Sequence, residues 1–354
     1  NNAKGRLRSL SFDCIYGTDA NPRMARTAKM NMIMHGDGHG GVHHHDGLLN
    51  VNGIWDGRFD VILTNPPFGA RVDKDSIITE ADKFTDDVKI KAYVKRYGEE
   101  YLTALKQVND HIGEPLLKQF EVGKMSALTE VLFIDRCLNL LKPGGRLGIV
   151  LPEGVLNNTN LQNVREYFEG RAKILLIVSI PQEVFMAAGA TVKPSLMFFK
   201  RFTEEEQIQY DTIKHDAYEE VRDKYIVELN SIEADLALRG KKALPATEKK
   251  KLRTRKKEIE TAIDTEAKFL IKQRFDYVIP IADIKRVGIN STGAKIENDL
   301  EPLLDEFTKY RKDNNLWHVR NTKTSYQYNY DGKLTRIQEF DGMVSEPEVF
   351  YNID

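Results

Sequence analysis

Between residues 12 and 202, short runs of β-prone apolar residues alternate with longer amphipathic segments, and few folds accommodate that rhythm. The runs are FDCIYGTD (12–19), RFDVILTN (58–65), GRLGIVLP (145–152), KILLIVSI (173–180) and SLMFFKRF (195–202). Between them, NPRMARTAKMNMIMHG starts at Asn21 and places Pro22 where a first helical turn tolerates it. A second helix is expected in ALTEVLFIDRCLNLLKPGG, where Leu128, Val131, Leu132, Asp135 and Leu138 recur at helical spacing and Gly144 and Gly145 would end it. Strands alternating with helices in this order predict an α/β fold, a doubly wound and mostly parallel sheet.

The chain has 354 residues, 41% of them hydrophobic and 30% charged, enough for one large domain with appendages. Lys and Arg number 52 against 53 Asp and Glu, a net charge of −1, so no global field draws the chain to nucleic acid or membrane. Any such surface must be local. Cys14 and Cys137 show no disulfide spacing and no apolar run reaches spanning length, which predicts a cytoplasmic protein without a membrane partner. The opening NNAKGRLRSL carries neither an initiator Met nor a signal peptide, so the sequence is expected to be a fragment of something longer.

Three regions are expected. Residues 1–202 form the α/β domain. Residues 203–275 are charged with a helical stripe, Val221, Tyr225, Leu229, Ile232 and Leu236, then a break at Gly240–Pro245, then Leu252, Ile259 and Ile263, which fits an antiparallel helical hairpin. Its KKKLRTRKK (249–257) could lie along phosphates or form a solvated face balanced by TEEE (203–206) and EIE (258–260). Residues 276–354 are mixed and aromatic, with an amphipathic helix in LEPLLDEFTKYRK, and the apolar faces of 203–354 look too narrow for ordinary core, which suggests an assembly region. The polar stretch 70–126 interrupts the alternation beside a strand end, where long insertions are usually functional.

That strand end is FDVILTNPPFG (59–69), a run that reads as a buried strand and stops on an amide, two prolines and a ring. In doubly wound sheets ligands bind beyond the carboxyl ends of the strands, so Asn65 faces a site. Its side-chain carbonyl and the Pro66 main-chain carbonyl, held extended by Pro67, can converge on one amino group with two N–H donors. Phe68 can stack on a planar heterocycle. The object so described is an exocyclic amine on an aromatic base.

At this point the sequence resembles a known family. NPPF after an apolar strand is similar to the motif of amino-methyltransferases that use S-adenosyl-L-methionine, chiefly the adenine-N6 DNA enzymes. The wider series resembles the modification subunits of type I restriction-modification systems: Asp19 ending IYGTD, AKMNMIMHG, the element Asp46-Gly47-Leu48, NPPFG, LKPGGR, LPEGVL and VFMAAGATVKPSLMFF, in order. The resemblance implies a Rossmann-like methyltransferase sheet with a helical C-terminal extension, and transfer of a methyl group to a flipped adenine in duplex DNA. It implies specificity and restriction subunits as partners, the specificity subunit reading the DNA sequence. The implied catalytic set is Asn65, Pro66, Pro67 and Phe68. The implied cofactor set is Asp19 on the ribose hydroxyls, Asp46 on the cofactor adenine amine, with Gly47 and Asn65.

Such a site also calls for a glycine-rich turn after the first strand, upstream of the ribose acid. Only 18 residues precede Asp19, with Gly5 the single glycine before the strand, so the first strand and its loop are expected to be missing. Two other readings stay open: a protein glutamine methyltransferase, whose motif normally has Tyr where Phe68 stands, and a decayed methyltransferase domain retained for assembly. Bland readings also exist for single residues. Asp19 could cap the next helix and Asp46 could be a turn residue. His35, His39, His43, His44 and His45 lie in a glycine-rich stretch without cysteine or regular ligand spacing, which reads as a loop beside the cofactor rather than a metal site.

Overall fold

A computed structural model describes residues 14–35, 41–83, 86–186, 192–239, 244–290, 292, 294–317, 324–328 and 334–339. Strand β1 (Gly17–Asp19) leads into helix α1 (Pro22–Met34). The side chain of Asn21 caps α1 by accepting from the backbone N–H of Arg23 and Met24, and Pro22 opens the first turn as expected. β2 (Val42–His44) pairs in parallel with β1, so part of the histidine-rich stretch read as a loop is a strand. Two residues of the first expected run, Phe12 and Asp13, and His39 lie outside the described residues.

β3 (Phe59–Thr64) follows, then the insertion, which carries helices α2 (Asp87–Tyr97) and α3 (Glu99–Asn109). Next come α4 (Thr129–Leu140), β4 (Leu141–Pro152), α5 (Gln162–Glu169), β5 (Ala172–Ser179) and β6 (Pro194–Arg201). The expected end of the second helix at Gly144 and Gly145 is corrected: α4 stops at Leu140 and both glycines lie within β4. Phe59 pairs with Leu141 and Val61 with Arg146, so residues 142–145 bulge out of the ladder. Gly144 has φ of 77°, and a β-carbon on Gly145 would stand 2.9 Å from the Lys142 carbonyl oxygen. The glycines serve a bulge, not a helix cap.

Helices α6 (Glu204–Ala237) and α7 (Ala246–Arg274) form the hairpin, and β7 (Ile281–Asp283), β8 (Val287–Ile289), β9 (Lys295–Asn298) and α8 (Leu300–Asp313) follow. A last antiparallel pair is β10 (Thr324–Tyr328) with β11 (Leu334–Glu339).

The main sheet has the order β3-β4-β6-β5-β7. Its β3–β4 and β5–β7 pairs are parallel, while β6 runs antiparallel to both β4 and β5. A single reversed strand in an otherwise parallel sheet agrees with the expected α/β class. One face packs Ile62, Leu147, Ile149, Met197 and Phe199 against α4 and α5, the main core. On the other face Leu176, Val178, Leu196 and Phe198 meet Leu300, Leu303 and Phe307 of α8. The segment beginning at residue 276, expected as a separate assembly region, thus supplies the last strand of the sheet and a cover for its second face.

The reading of β3 as a buried strand also needs correction. Among the described residues no strand pairs with it on the side away from β4, and Val61 and Leu63 are 47% and 79% exposed while Ile62 packs in the core. β3 is an edge, and the period-2 alternation turns its two uncovered side chains outward.

The α6–α7 hairpin has its own small core, in which Val221, Leu229 and Ile232 meet Ile259, Ile263 and Ala267. The stripe that suggested an external partner therefore closes on its sister helix. Within KKKLRTRKK, Arg255 pairs with Glu228 at 2.7 Å and Lys256 with Glu233 at 2.7 Å, which favours the balanced-face reading for those two cations. Thr203 and Glu206 form a capping box at the start of α6. Burial alone would raise the Glu206 carboxyl, but bonds from Lys173, the Thr203 N–H and Lys200 outweigh it and hold the pKa at about 2. That carboxylate ties the hairpin to β5 and β6.

Candidate active site

The apolar run of β3 ends where Asn65 begins a non-helical, non-strand turn. Asn65 is exposed and forms no hydrogen bond with another described residue, whereas Pro66 beside it is buried and Pro67 exposed. Two consecutive prolines fix the chain direction at the strand end with few accessible backbone states. Phe68 is half-buried, its ring 5.5 Å from that of Phe185 and tilted 54°. Phe185 lies in the short helical turn Glu183–Met186 between β5 and β6. Sequence reasoning did not name it as a site residue, although it belongs to the quoted VFMAAG segment; the residues 187–191 of that segment lie outside the described ones.

The turn is pinned by the start of α4. Gly69, at φ of 70°, donates its N–H to both carboxylate oxygens of Glu130 at 3.2 Å. The Ala70 carbonyl accepts from the N–H of Thr129 at 2.9 Å and its hydroxyl at 3.1 Å. One turn further on, α4 reaches the other half of the site. A β-carbon on Gly47 would stand 3.1 Å from the Phe133 ring and 3.3 Å from the Thr18 hydroxyl, so only glycine fits this approach without displacement. Arg136 donates from Nε to the Gly47 carbonyl at 3.2 Å and from Nη1 to Asp56 at 2.9 Å. Residues 129, 130, 133 and 136 share one helical face, so a single rigid helix positions both halves.

Asp19 and Asp46 are brought close together, since the His45 N–H donates to the Asp19 carbonyl at 3.2 Å. Asp19 is exposed and its Oδ1 accepts from the Asn21 N–H at 2.7 Å; it does not cap α1, because Asn21 is the capping residue and Asp19 only steadies it. Asp46 Oδ1 accepts from the Leu48 N–H at 2.9 Å, as a turn aspartate does. In each carboxylate Oδ2 has no hydrogen-bond partner among the described residues. Among the described residues no hydrogen bond joins Asn65 to either acid; both halves hang from α4. Tyr16, just before β1, packs on Phe59 at the start of β3 with ring centroids 5.8 Å apart.

Among the described residues no group of three or more His, Cys, Asp or Glu could hold a metal. His44 Nε2 lies 3.0 Å from the Ala20 carbonyl oxygen and His45 Nδ1 3.0 Å from that of Asp46, which ties these side chains to the backbone. His43 differs: burial, with the Lys29 charge adding to it, lowers its pKa from 6.5 to about 4. A depressed histidine stabilises the fold above pH 6.5, and that contribution is lost as pH falls toward 4. We expect the β1–β2 unit to lose about 1–2 kcal/mol over this window after allowance for partial solvent screening. Amide exchange of Gly17–Asp19 at pH 7 and pH 4.5 measures it, and an equal loss in His43→Leu would assign the effect elsewhere.

The model of the family described as N-6 DNA Methylase matches residues 9–101 and 96–292. The chain belongs to the N-6 DNA Methylase family. Its Escherichia coli relative, the type I restriction enzyme EcoEI methylase subunit, is 24% identical over 189 residues, which is 53% of this chain and 30% of the relative. The chain thus spans about a third of that relative's length. Among solved structures, the M protein of the type I restriction enzyme EcoKI aligns with a TM-score of 0.36 and 19% identity, covering 55% of this chain and 32% of that one. A structure titled for complex assembly and conformational transition of the type I R-M system aligns with a TM-score of 0.37 and 20% identity, covering 76% of this chain and 56% of that one. Both family-model segments include the site: Asp19, Asp46 and Asn65 fall in the first, and Glu130, Arg136 and Phe185 in the second. Among the described residues no helix is long and apolar enough to cross a membrane.

Proposed function

We propose that this N-6 DNA Methylase chain carries the methyl-transferring site of a type I modification subunit, which acts on a flipped adenine in duplex DNA in the cytoplasm. The observation that carries the reading is the unpartnered, exposed amide of Asn65 at the end of β3, beside the Phe68 and Phe185 rings. S-adenosyl-L-methionine, when bound, supplies a methyl group on a sulfonium that is already a good leaving group. Asp19 and Asp46 would hold it through the Oδ2 atoms that accept no bond from a described residue, with Gly47 giving close backbone approach and Asn65 bordering both ligands.

The remaining difficulty is the nucleophile. An adenine N6 lone pair is delocalised into the ring, and acceptance of its two N–H bonds by the Asn65 side chain and the Pro66 carbonyl favours a more tetrahedral nitrogen. The same two oxygens stabilise positive charge as it develops on N6, so no strong general base is needed. Unpairing the base costs a few kcal/mol, and stacking on an aromatic wall returns roughly 1–3 kcal/mol. Phe68, fixed by Pro67 and Gly69, provides that wall with Phe185 behind it.

The partners in this reading are duplex DNA and the specificity and restriction subunits. On the hairpin an assembly contact would rest on the outward Val227 and Phe269, 80% and 62% exposed, rather than on the stripe that forms its core. The decisive test supplies labelled S-adenosyl-L-methionine to this protein assembled with a specificity subunit, and offers duplex DNA and a protein mixture. Label on adenine N6 is expected. Label confined to protein glutamine, with none in DNA, would defeat the proposal.

A further inference from the structure

We infer that Glu130 is a positioning residue for the Asn65–Phe68 turn, acting through the Gly69 amide. Glu130 is 3% exposed, and the only hydrogen bonds of its carboxylate to described residues are the paired 3.2 Å contacts from the Gly69 N–H. A carboxylate at the first turn of a helix commonly satisfies one of that helix's own free N–H groups. Here it turns away from α4 and takes a backbone donor from the loop that follows the NPPF motif. Neither oxygen takes an N–H of α4 itself, so helix capping does not account for the residue.

The geometry explains what this contact controls. Gly69 sits in the left-handed region at φ of 70°, in a bend that begins at Phe68. Thr129 fixes the Ala70 carbonyl from the same helical turn. With residues 69 and 70 clamped to residues 130 and 129, the Phe68 ring and the oxygens of Asn65 and Pro66 have one rigid reference, the axis of α4. Orientation of this kind is realised as rate rather than as affinity.

The inference rests on the proposed methyl transfer, but its first readout does not. Amide exchange of Gly69, measured by NMR in the unliganded full chain, should rise about tenfold or more in Glu130→Ala. In Glu130→Gln, whose side-chain oxygen still accepts, it should stay within about threefold of the parent. Exchange in the core strands β4 and β6 should be unchanged in both. In the assembled enzyme, Glu130→Ala should lower single-turnover transfer by on the order of tenfold or more while cofactor affinity is retained, and Glu130→Gln should recover most of the rate. Unchanged Gly69 protection in Glu130→Ala would overturn the inference, as would equal losses in the two variants or loosening spread evenly over the core. An assembled parent that methylates no adenine would instead defeat the proposed function, leaving the exchange result to decide the role of Glu130.

Discussion

Asn65→Ala is expected to slow single-turnover methyl transfer by on the order of 10²–10³-fold, the usual cost of removing one preorganised polar group that acts on the charge developing in a transition state. Binding of S-adenosyl-L-methionine should change little, because the lost acceptor acts chiefly on the amine that receives the methyl group. The exposed side chain makes no hydrogen bond with a described residue, so its removal leaves no buried donor unsatisfied and should barely alter thermal stability. Phe68→Ala should behave differently, weakening engagement of the flipped base through lost stacking. Rapid-quench kinetics with saturating DNA, together with a cofactor titration, separate the two effects. A wild-type single-turnover rate in Asn65→Ala would show that the amide has no part in the chemistry.

The second large effect concerns stability. Asp135 is fully buried in α4, where Oδ1 accepts from Tyr167 at 2.6 Å and Asn139 at 2.7 Å, and Oδ2 from the Val122 N–H at 3.2 Å. Burial raises its carboxyl above the ordinary aspartate range despite those donors, and lifts the Tyr167 hydroxyl as well. Asp135→Ala leaves three donors without an acceptor and opens a void between α4, α5 and the insertion, and should cost about 3–5 kcal/mol. Tyr167→Phe, which removes one donor and keeps the acceptor, should cost about 1 kcal/mol. Urea midpoints of the two variants measure this. Equal, small shifts would mean that the network is rehydrated rather than buried.

Asp135 also shows where sequence reasoning ends. It falls on the apolar stripe of α4 at helical spacing and is legible there as a core position, yet nothing local to it names Tyr167 or Val122 as its partners. The same division runs through the candidate site. The NPPF turn announces itself because two prolines and a ring after a β-prone run have strong local preferences. Phe185, Glu130 and Arg136 do not, since each acts across 60 to 120 residues of chain, as in the separations of 61 between Gly69 and Glu130 and 89 between Gly47 and Arg136.

Residue order alone determined the strand and helix alternation, the start of α1 at Pro22, the antiparallel hairpin and the residue types at the end of β3, because periodicity and turns are fixed by neighbours a few positions apart. The tertiary structure decided that β6 runs against its neighbours, that β3 is an edge with Leu63 turned outward, that β7 returns to the sheet after the hairpin, and that the hairpin stripe is consumed internally. Those outcomes depend on which distant surfaces cover one another, and the free energy of covering apolar area is set by the partner as much as by the residue. One face of α4 holds both halves of the site for that reason: the helix is buried against the sheet, and its first turns are where two strand ends meet it.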